Sequence, residues 1–220
     1  MEKENRGLPF YLLDDRLEFP PVATANADGL LAVGGDLSPE RLLLAYKNGI
    51  FPWFNDDDLI LWWTPDPRMV LFPRKVKISK SMRKVIQGGK FKLTTNSAFE
   101  EVLNHCAEQK RKGQQGTWIT KSMKKAFLEL HAKGFAKSYE VWENDQLVGG
   151  LYGIDMGHVF CGESMFSLVP NASKFAFIKM VLELQQRQYK LVDCQIHTNH
   201  LESLGAELIS RKEFLRVLNG

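Results

Sequence analysis

No apolar run in the 220 residues approaches the roughly 20 needed to cross a bilayer. Residues 1–10, MEKENRGLPF, also lack the apolar centre of a secretory signal. The expectation is a cytoplasmic protein with no membrane partner. Cysteine is scarce: Cys106, Cys161 and Cys194 are odd in number, far apart and set in or near apolar segments, which favours reduced core thiols over disulfides. Their spacing to the five histidines matches no ligand set, so no metal is expected. A phosphate-binding P-loop is missing, and Gly149, Gly150 and Gly153 run into more strand instead of a helix, which excludes a dinucleotide fingerprint. Glycines so placed permit a bulge or the close approach of another backbone. The chain has neither an internal repeat nor a low-complexity tract.

Acidic residues are absent over one long stretch. The overall balance, 29 basic against 26 acidic residues, says little. Between positions 74 and 92, however, stand Arg74, Lys75, Lys77, Lys80, Arg83, Lys84, Lys90 and Lys92 with no carboxylate among them, and Lys110, Arg111 and Lys112 follow. Such a block is either a solvated face or a surface that contacts phosphates.

What is present reads as a small leading domain and a larger second one. Residues 1–20 end in proline and read as an extended arm. Ser38 as N-cap, Pro39 in the first turn, apolar Leu42, Leu43, Ala45 and Tyr46, and Gly49 as the stop mark a helix. Aromatic residues at 50–54 and 61–63 flank a polar loop at 55–58; they suit a core, and Trp53 equally suits a surface on which a base stacks. Prolines 65 and 67 stiffen the joint that divides 1–67 from 68–220.

Beyond the joint, strands are expected at 69–72, 90–95, 136–142, 147–154, 158–166, 190–196 and near 206–210. Helices are expected at 79–87, 97–108, 121–133, from Ser173 onward, just after 197, and at the end. Ser97 and Glu100 have capping-box spacing, and Asn171 or Ser173 can cap the helix that follows. The class is α+β, with a mixed, mainly antiparallel sheet in the larger domain and a small N-terminal α/β domain.

Polar groups inside apolar strands point to a site. Glu163 stands within VFCGESMF, where a carboxylate must be paired or functional. Asp193 and Gln195 are two apart in KLVDCQI, so on a regular strand both face one side and Cys194 the other. An acid beside an amide can orient an amine and take its proton directly or by relay, as acyl transfer to an amine requires, and Glu163 could hold an α-ammonium. Structural pairing of either acid is the alternative.

Several stretches resemble, in order, the motifs of the bacterial leucyl/phenylalanyl-tRNA–protein transferase family: GLLAVGGDLSPERLLLAYKNGIFPWF, WWTPDPR, GTWIT, LVGGLYG, FCGESMFS, NASK, DCQ and SLGAELISR. The resemblance spans residues 28 to 218. It implies an acetyltransferase-like (GNAT-related) C-terminal domain, similar to that of tRNA-dependent peptidoglycan-bridge transferases. It implies transfer of Leu or Phe, and less Met, from aminoacyl-tRNA to an N-terminal Arg or Lys of an acceptor protein, which marks that protein for N-end rule degradation. Because a donor ester is already activated, no cofactor is expected, and a monomer is expected because nothing suggests an extended interface. Asp193 then matches a general base and Gln195 its relay or orienting amide, while Glu163 lies beside the donor amino acid. Trp53 and Trp118 match tryptophans near the terminal adenosine. Leu151, Met165, Phe177, Met180, Leu184 and Val192 match the side-chain pocket, and the basic block, with Lys80, Arg83 and Lys84 at its centre, becomes the surface for the tRNA acceptor arm.

Two other readings compete. One is a coenzyme A-dependent N-acetyltransferase on the same fold, weakened because no glycine-rich anion cradle lies between Phe166 and Ser173. The other is a non-catalytic RNA-binding module.

Overall fold

The computed structural model describes residues 10–55, 59–109 and 118–220. The leading segment holds β1 (Tyr11–Leu13), β2 (Leu30–Gly34), α1 (Pro39–Lys47), β3 (Phe51–Pro52) and β4 (Leu61–Trp63). Within the expected extended arm, β1 pairs parallel to β2, so residues 11–13 are tied into a four-stranded sheet ordered β1-β2-β4-β3. Helix α1 starts as its sequence dictates: the Ser38 side chain accepts from the Arg41 amide at 3.3 Å, and Pro39 occupies the first turn. It stops at Gly49, whose φ of +71° suits glycine. A methyl group there would meet the Phe214 ring at 2.8 Å.

The second segment comprises β5 (Arg68–Leu71), α2 (Lys80–Gln87), β6 (Lys92–Thr95), α3 (Phe99–Glu108), α4 (Lys121–Ala132), β7 (Ala136–Glu143), β8 (Gln146–Asp155), β9 (Val159–Ser167), α5 (Ala172–Gln186), β10 (Leu191–Gln195), α6 (Asn199–Ser203), β11 (Glu207–Ile209) and α7 (Arg211–Leu218). Among the described residues its strands form a seven-stranded sheet ordered β11-β5-β10-β9-β8-β7-β6. Every pair is antiparallel except β9 and β10, which α5 joins as a crossover. From Gly149 onward residues alternate across β8, and each face carries its own core: Tyr152 and Ile154 pack with α3, α4 and the leading segment, whereas Leu151 packs with α2 and α5; a register shift beside Val148 interrupts the alternation before that point. The first of these cores runs without a break from Leu31 through Tyr46 and Trp62 to Phe214 and Leu218.

Two expected caps are absent. The capping box at Ser97 and Glu100 does not form, because Asn96 takes a left-handed turn (φ 57°) to pair with Ser138 and α3 begins one residue later, with Ala98 as its N-cap and no side-chain bond. The buried Glu140 carboxylate accepts from the Ser97 amide at 3.3 Å instead, placing negative charge at the start of the helix. Asn171 is the N-cap of α5 but sits at φ 72° and makes no capping bond; the Ser173 amide donates to the Ser167 hydroxyl at 3.2 Å. The strand glycines do what their spacing suggests. Gly149 lies against Ala172 of α5, where a Cβ would come within 2.5 Å, and Gly153 lies against the Cys161 carbonyl.

Candidate active site

The parallel register of β9 and β10 ends at the pair Asp193 and Cys161, and beyond it the two strands part. A cavity of about 470 Å³ opens in the gap. One wall is apolar and consists of Leu151, Phe160, Met165, Phe177, Met180 and Val192. A second wall is polar and carries Glu163, Ser164, Asp193 and Gln195. Trp53 and Trp118 stand on the side of the leading segment, and Thr198 and His200 on that of α6.

The polar wall is a chain of bonds anchored in the core. Both Asp193 oxygens accept from Arg68: Nε donates to Oδ1 at 2.8 Å and Nη2 to Oδ2 at 2.7 Å, in a bidentate pair with each residue about 1% exposed. Asp193 Oδ1 also accepts from the backbone N–H of Gln195 at 2.9 Å. That bond folds the chain back, so Gln195 takes φ 62° and the register of β10 against β5 slips between positions 193 and 195. The regular alternation expected of this strand is therefore broken, and Cys194 lines the cavity together with its neighbours instead of facing away. Gln195 Nε2, in turn, donates to Glu163 Oε1 at 2.8 Å.

Glu163 Oε2 is shielded from water and accepts no hydrogen bond of standard geometry; the buried Tyr46 hydroxyl of α1 is in the same state. Burial pushes the Glu163 carboxyl up to about 8, with the nearby Asp193 charge adding to the rise and the Tyr46 hydroxyl, the Gln195 amide and Arg68 opposing it. Burial, and then the adjoining Glu163, raise the Tyr46 phenol well above its ordinary range. The thiols of Cys161 and Cys194 are pushed up by burial first and by Asp193 second, so neither is a ready thiolate nucleophile. His200 is held below its ordinary value by burial and by Lys174, so its ring is neutral at pH 7.

Of the residues singled out from sequence, Trp53, Trp118, Leu151, Glu163, Met165, Phe177, Met180, Val192, Asp193 and Gln195 all border this one cavity. Leu184 does not: it lies one turn beyond Met180 on α5, is fully buried in the core on that face, and its side chain is spent on packing. Lys80, Arg83 and Lys84 are exposed on α2 and lie outside the cavity. The eight basic residues from 74 to 92 are all exposed, and Lys75 and Lys90 are paired with Glu207 and Glu143. Lys110, Arg111, Lys112, Gly116 and Thr117 lie outside the described residues. Sequence reasoning missed Arg68 and Tyr46. The signal for Arg68 was present, since an arginine at the head of the apolar run Met69–Leu71 needs a buried partner, but nothing local identifies Asp193, 125 positions away, as that partner.

Residues 70–219 match the sequence model of the family described as leucyl/phenylalanyl-tRNA protein transferase, and residues 35–66 match the model of its N-terminal domain. The chain belongs to this family. Relatives that carry the family name cover it almost end to end. The one from Flavobacterium johnsoniae is 60% identical over 209 residues, 95% of this chain and 98% of the relative. The one from Christiangramia forsetii is 57% identical over 210 residues, 94% and 99% of the two chains. Among solved structures, a GCN5-related N-acetyltransferase from Kribbella flavida superposes with a TM-score of 0.37 at 9% identity, over 75% of this chain and 58% of its own, too loose a likeness to carry an argument.

Proposed function

We propose that the chain transfers Leu or Phe, and less readily Met, from charged tRNA to the N-terminal Arg or Lys of an acceptor protein, acting as a cytoplasmic monomer without a cofactor. The observation that carries this reading is the meeting of an apolar wall, a polar wall and two tryptophans around one cavity in a chain of this family. A volume of about 470 Å³ accepts a Leu or Phe side chain together with part of the adenosine that bears it. Leu151, Met165, Phe177, Met180 and Val192 enclose the side chain. Trp53, 36% exposed and in ring contact with Trp63 at 5.9 Å, offers a face to the terminal base, and Trp118 closes the cavity behind it. The exposed face of α2 with Lys80, Arg83 and Lys84 meets the acceptor-arm phosphates.

The donor is an ester and is already activated. The free amine of the acceptor attacks the ester carbonyl carbon, the bond from that carbon to the ribose oxygen breaks, and the proton lost by the nitrogen ends on the ribose oxygen. Gln195 spends its Nε2 on Glu163, which leaves its carbonyl oxygen to accept from the incoming amine and hold the nitrogen on line. Asp193 places negative charge beneath the nitrogen as it becomes cationic and relays its proton. Glu163 faces the donor's α-amino group, and an α-ammonium there favours the ionised carboxylate.

The test is transfer of radiolabelled Phe or Leu from charged tRNA to a protein beginning with Arg or Lys, with the same protein acetylated at its N-terminus as control. Incorporation only into the free N-terminus is the expected result. Folded, tRNA-binding protein that incorporates no label would overturn this reading.

A further inference from the structure

Arg68 is a cation in the wrong place for stability alone. It is 1% exposed, its Nη1 has no hydrogen-bond partner, and a buried ion pair seldom stabilises more than a well-packed apolar replacement does. Its surroundings are nonetheless built around it. The guanidinium carbon lies 4.8 Å from the ring centre of Phe51 on β3 and 4.7 Å from that of Phe214 on α7. Two aromatic rings, one from the leading segment and one from the last helix, thus hold one planar cation. Gly49, at the end of α1, leaves room for the Phe214 ring.

We infer that Arg68 is the positioning residue of the site, clamped between Phe51 and Phe214 so that its fork fixes Asp193 and, through Asp193, the turned-back chain at Gln195. The bonds run without a gap from the clamp to the cavity: Arg68 to both Asp193 oxygens, the backbone N–H of Gln195 to Asp193 Oδ1, and Gln195 Nε2 to Glu163. Each has one geometry open to it, because the fork is planar and the φ of 62° at Gln195 is one that a non-glycine residue holds only when its surroundings impose it. Arg68 itself does not border the cavity, so it acts through Asp193 and not on the substrates. A lysine keeps the charge but loses the fork. The amide carbonyl of Gln195 is then no longer held where an incoming amine needs it. This inference rests on the transfer reaction proposed above.

The experiment compares Arg68→Lys with the wild type in the transfer assay, alongside direct binding of Phe-tRNA and thermal unfolding. With the cavity walls intact, the dissociation constant for Phe-tRNA should stay within about twofold, while the single-turnover transfer rate falls about 100-fold, the scale of a reacting group displaced by about 1 Å. Adding Asp193→Asn to Arg68→Lys should lower the rate by far less than Asp193→Asn does alone, because the two residues act as a unit. Should Arg68→Lys fail to fold, Phe214→Leu replaces it. That change loosens one side of the clamp, touches neither Asp193 nor the cavity, and should also lower the rate without weakening donor binding. A folded variant with a wild-type rate, a loss of Phe-tRNA affinity as large as the loss of rate, or additive losses in the double variant would each overturn the inference. Wild-type protein that transfers nothing would instead remove the reaction itself, so the two failures are distinct.

Discussion

Gln195 donates from Nε2 to Glu163 Oε1 at 2.8 Å, joining two residues 32 positions apart across the opening between β9 and β10. The bond closes the polar wall of the cavity and leaves the other Glu163 oxygen dry.

That dry carboxyl should tie stability to pH. The folded state holds the Glu163 proton up to about pH 8, whereas the unfolded chain releases it near its ordinary 4.5. Over this window the folded state binds more protons than the unfolded one, so the Glu163 contribution is fully present at low pH and is lost as pH rises, at up to about 1.4 kcal/mol per unit. Glu163→Gln removes the titrating group and keeps an oxygen for Gln195. Urea unfolding of both proteins at pH 5 and pH 8 should show the variant gaining on the wild type at the higher pH. Equal pH slopes would mean that the carboxyl ionises freely in the folded protein.

Trp53→Ala should weaken binding of charged tRNA by about 1–3 kcal/mol, the value of one base stacked on an aromatic ring. Because Trp53 is 36% exposed, thermal stability should hardly move. Trp118, only 9% exposed, cannot be tested as cleanly, since truncating it also opens the core. Fluorescence titration with Phe-tRNA is the measurement, and an unchanged affinity would remove the stacking role.

The face of α2 should dominate the salt dependence. Replacing Lys80, Arg83 and Lys84 with Ala removes three exposed cations outside the cavity. The slope of log affinity against log salt concentration should become shallower by about 2 to 3, with little change in the transfer rate at saturating tRNA. An unchanged slope would place the acceptor arm on another surface.

Met180 and Leu184 share α5 and one core but should respond differently. Met180 borders the cavity and Leu184 does not. Met180→Ala enlarges the pocket and should shift the ratio of Phe to Leu transfer by about 1–3 kcal/mol in favour of the larger side chain. Leu184→Ala should cost about 2–5 kcal/mol of stability and leave that ratio alone. Competition between Phe-tRNA and Leu-tRNA, with a melting curve for each variant, separates the two effects.

Much of this protein is written locally. The cap of α1 at Ser38, the turn at Asn144 and Asp145 with both residues at positive φ, the long hairpin of β8 and β9 and the apolar stripe of α5 follow from propensity and periodicity, which act over a few residues. So does the suspicion attached to Glu163, Asp193 and Gln195, because a polar side chain in an apolar strand is conspicuous wherever the strand ends up. The motifs that resemble the family are runs of adjacent residues and are legible for the same reason. Tertiary structure decided which residues met. Glu140 displaced the expected capping box at α3 because β7 brought a buried carboxylate to that helix start. Leu184 fell outside the cavity because a stripe of apolar residues fixes only the face of a helix, whereas the parting of β9 and β10 fixes where along that face the cavity ends. Asp193 gained Arg68, and Arg68 gained Phe51 and Phe214, from four elements distant in the chain. Such contacts depend on how sheets and helices pack in three dimensions, and no local pattern of residues encodes them.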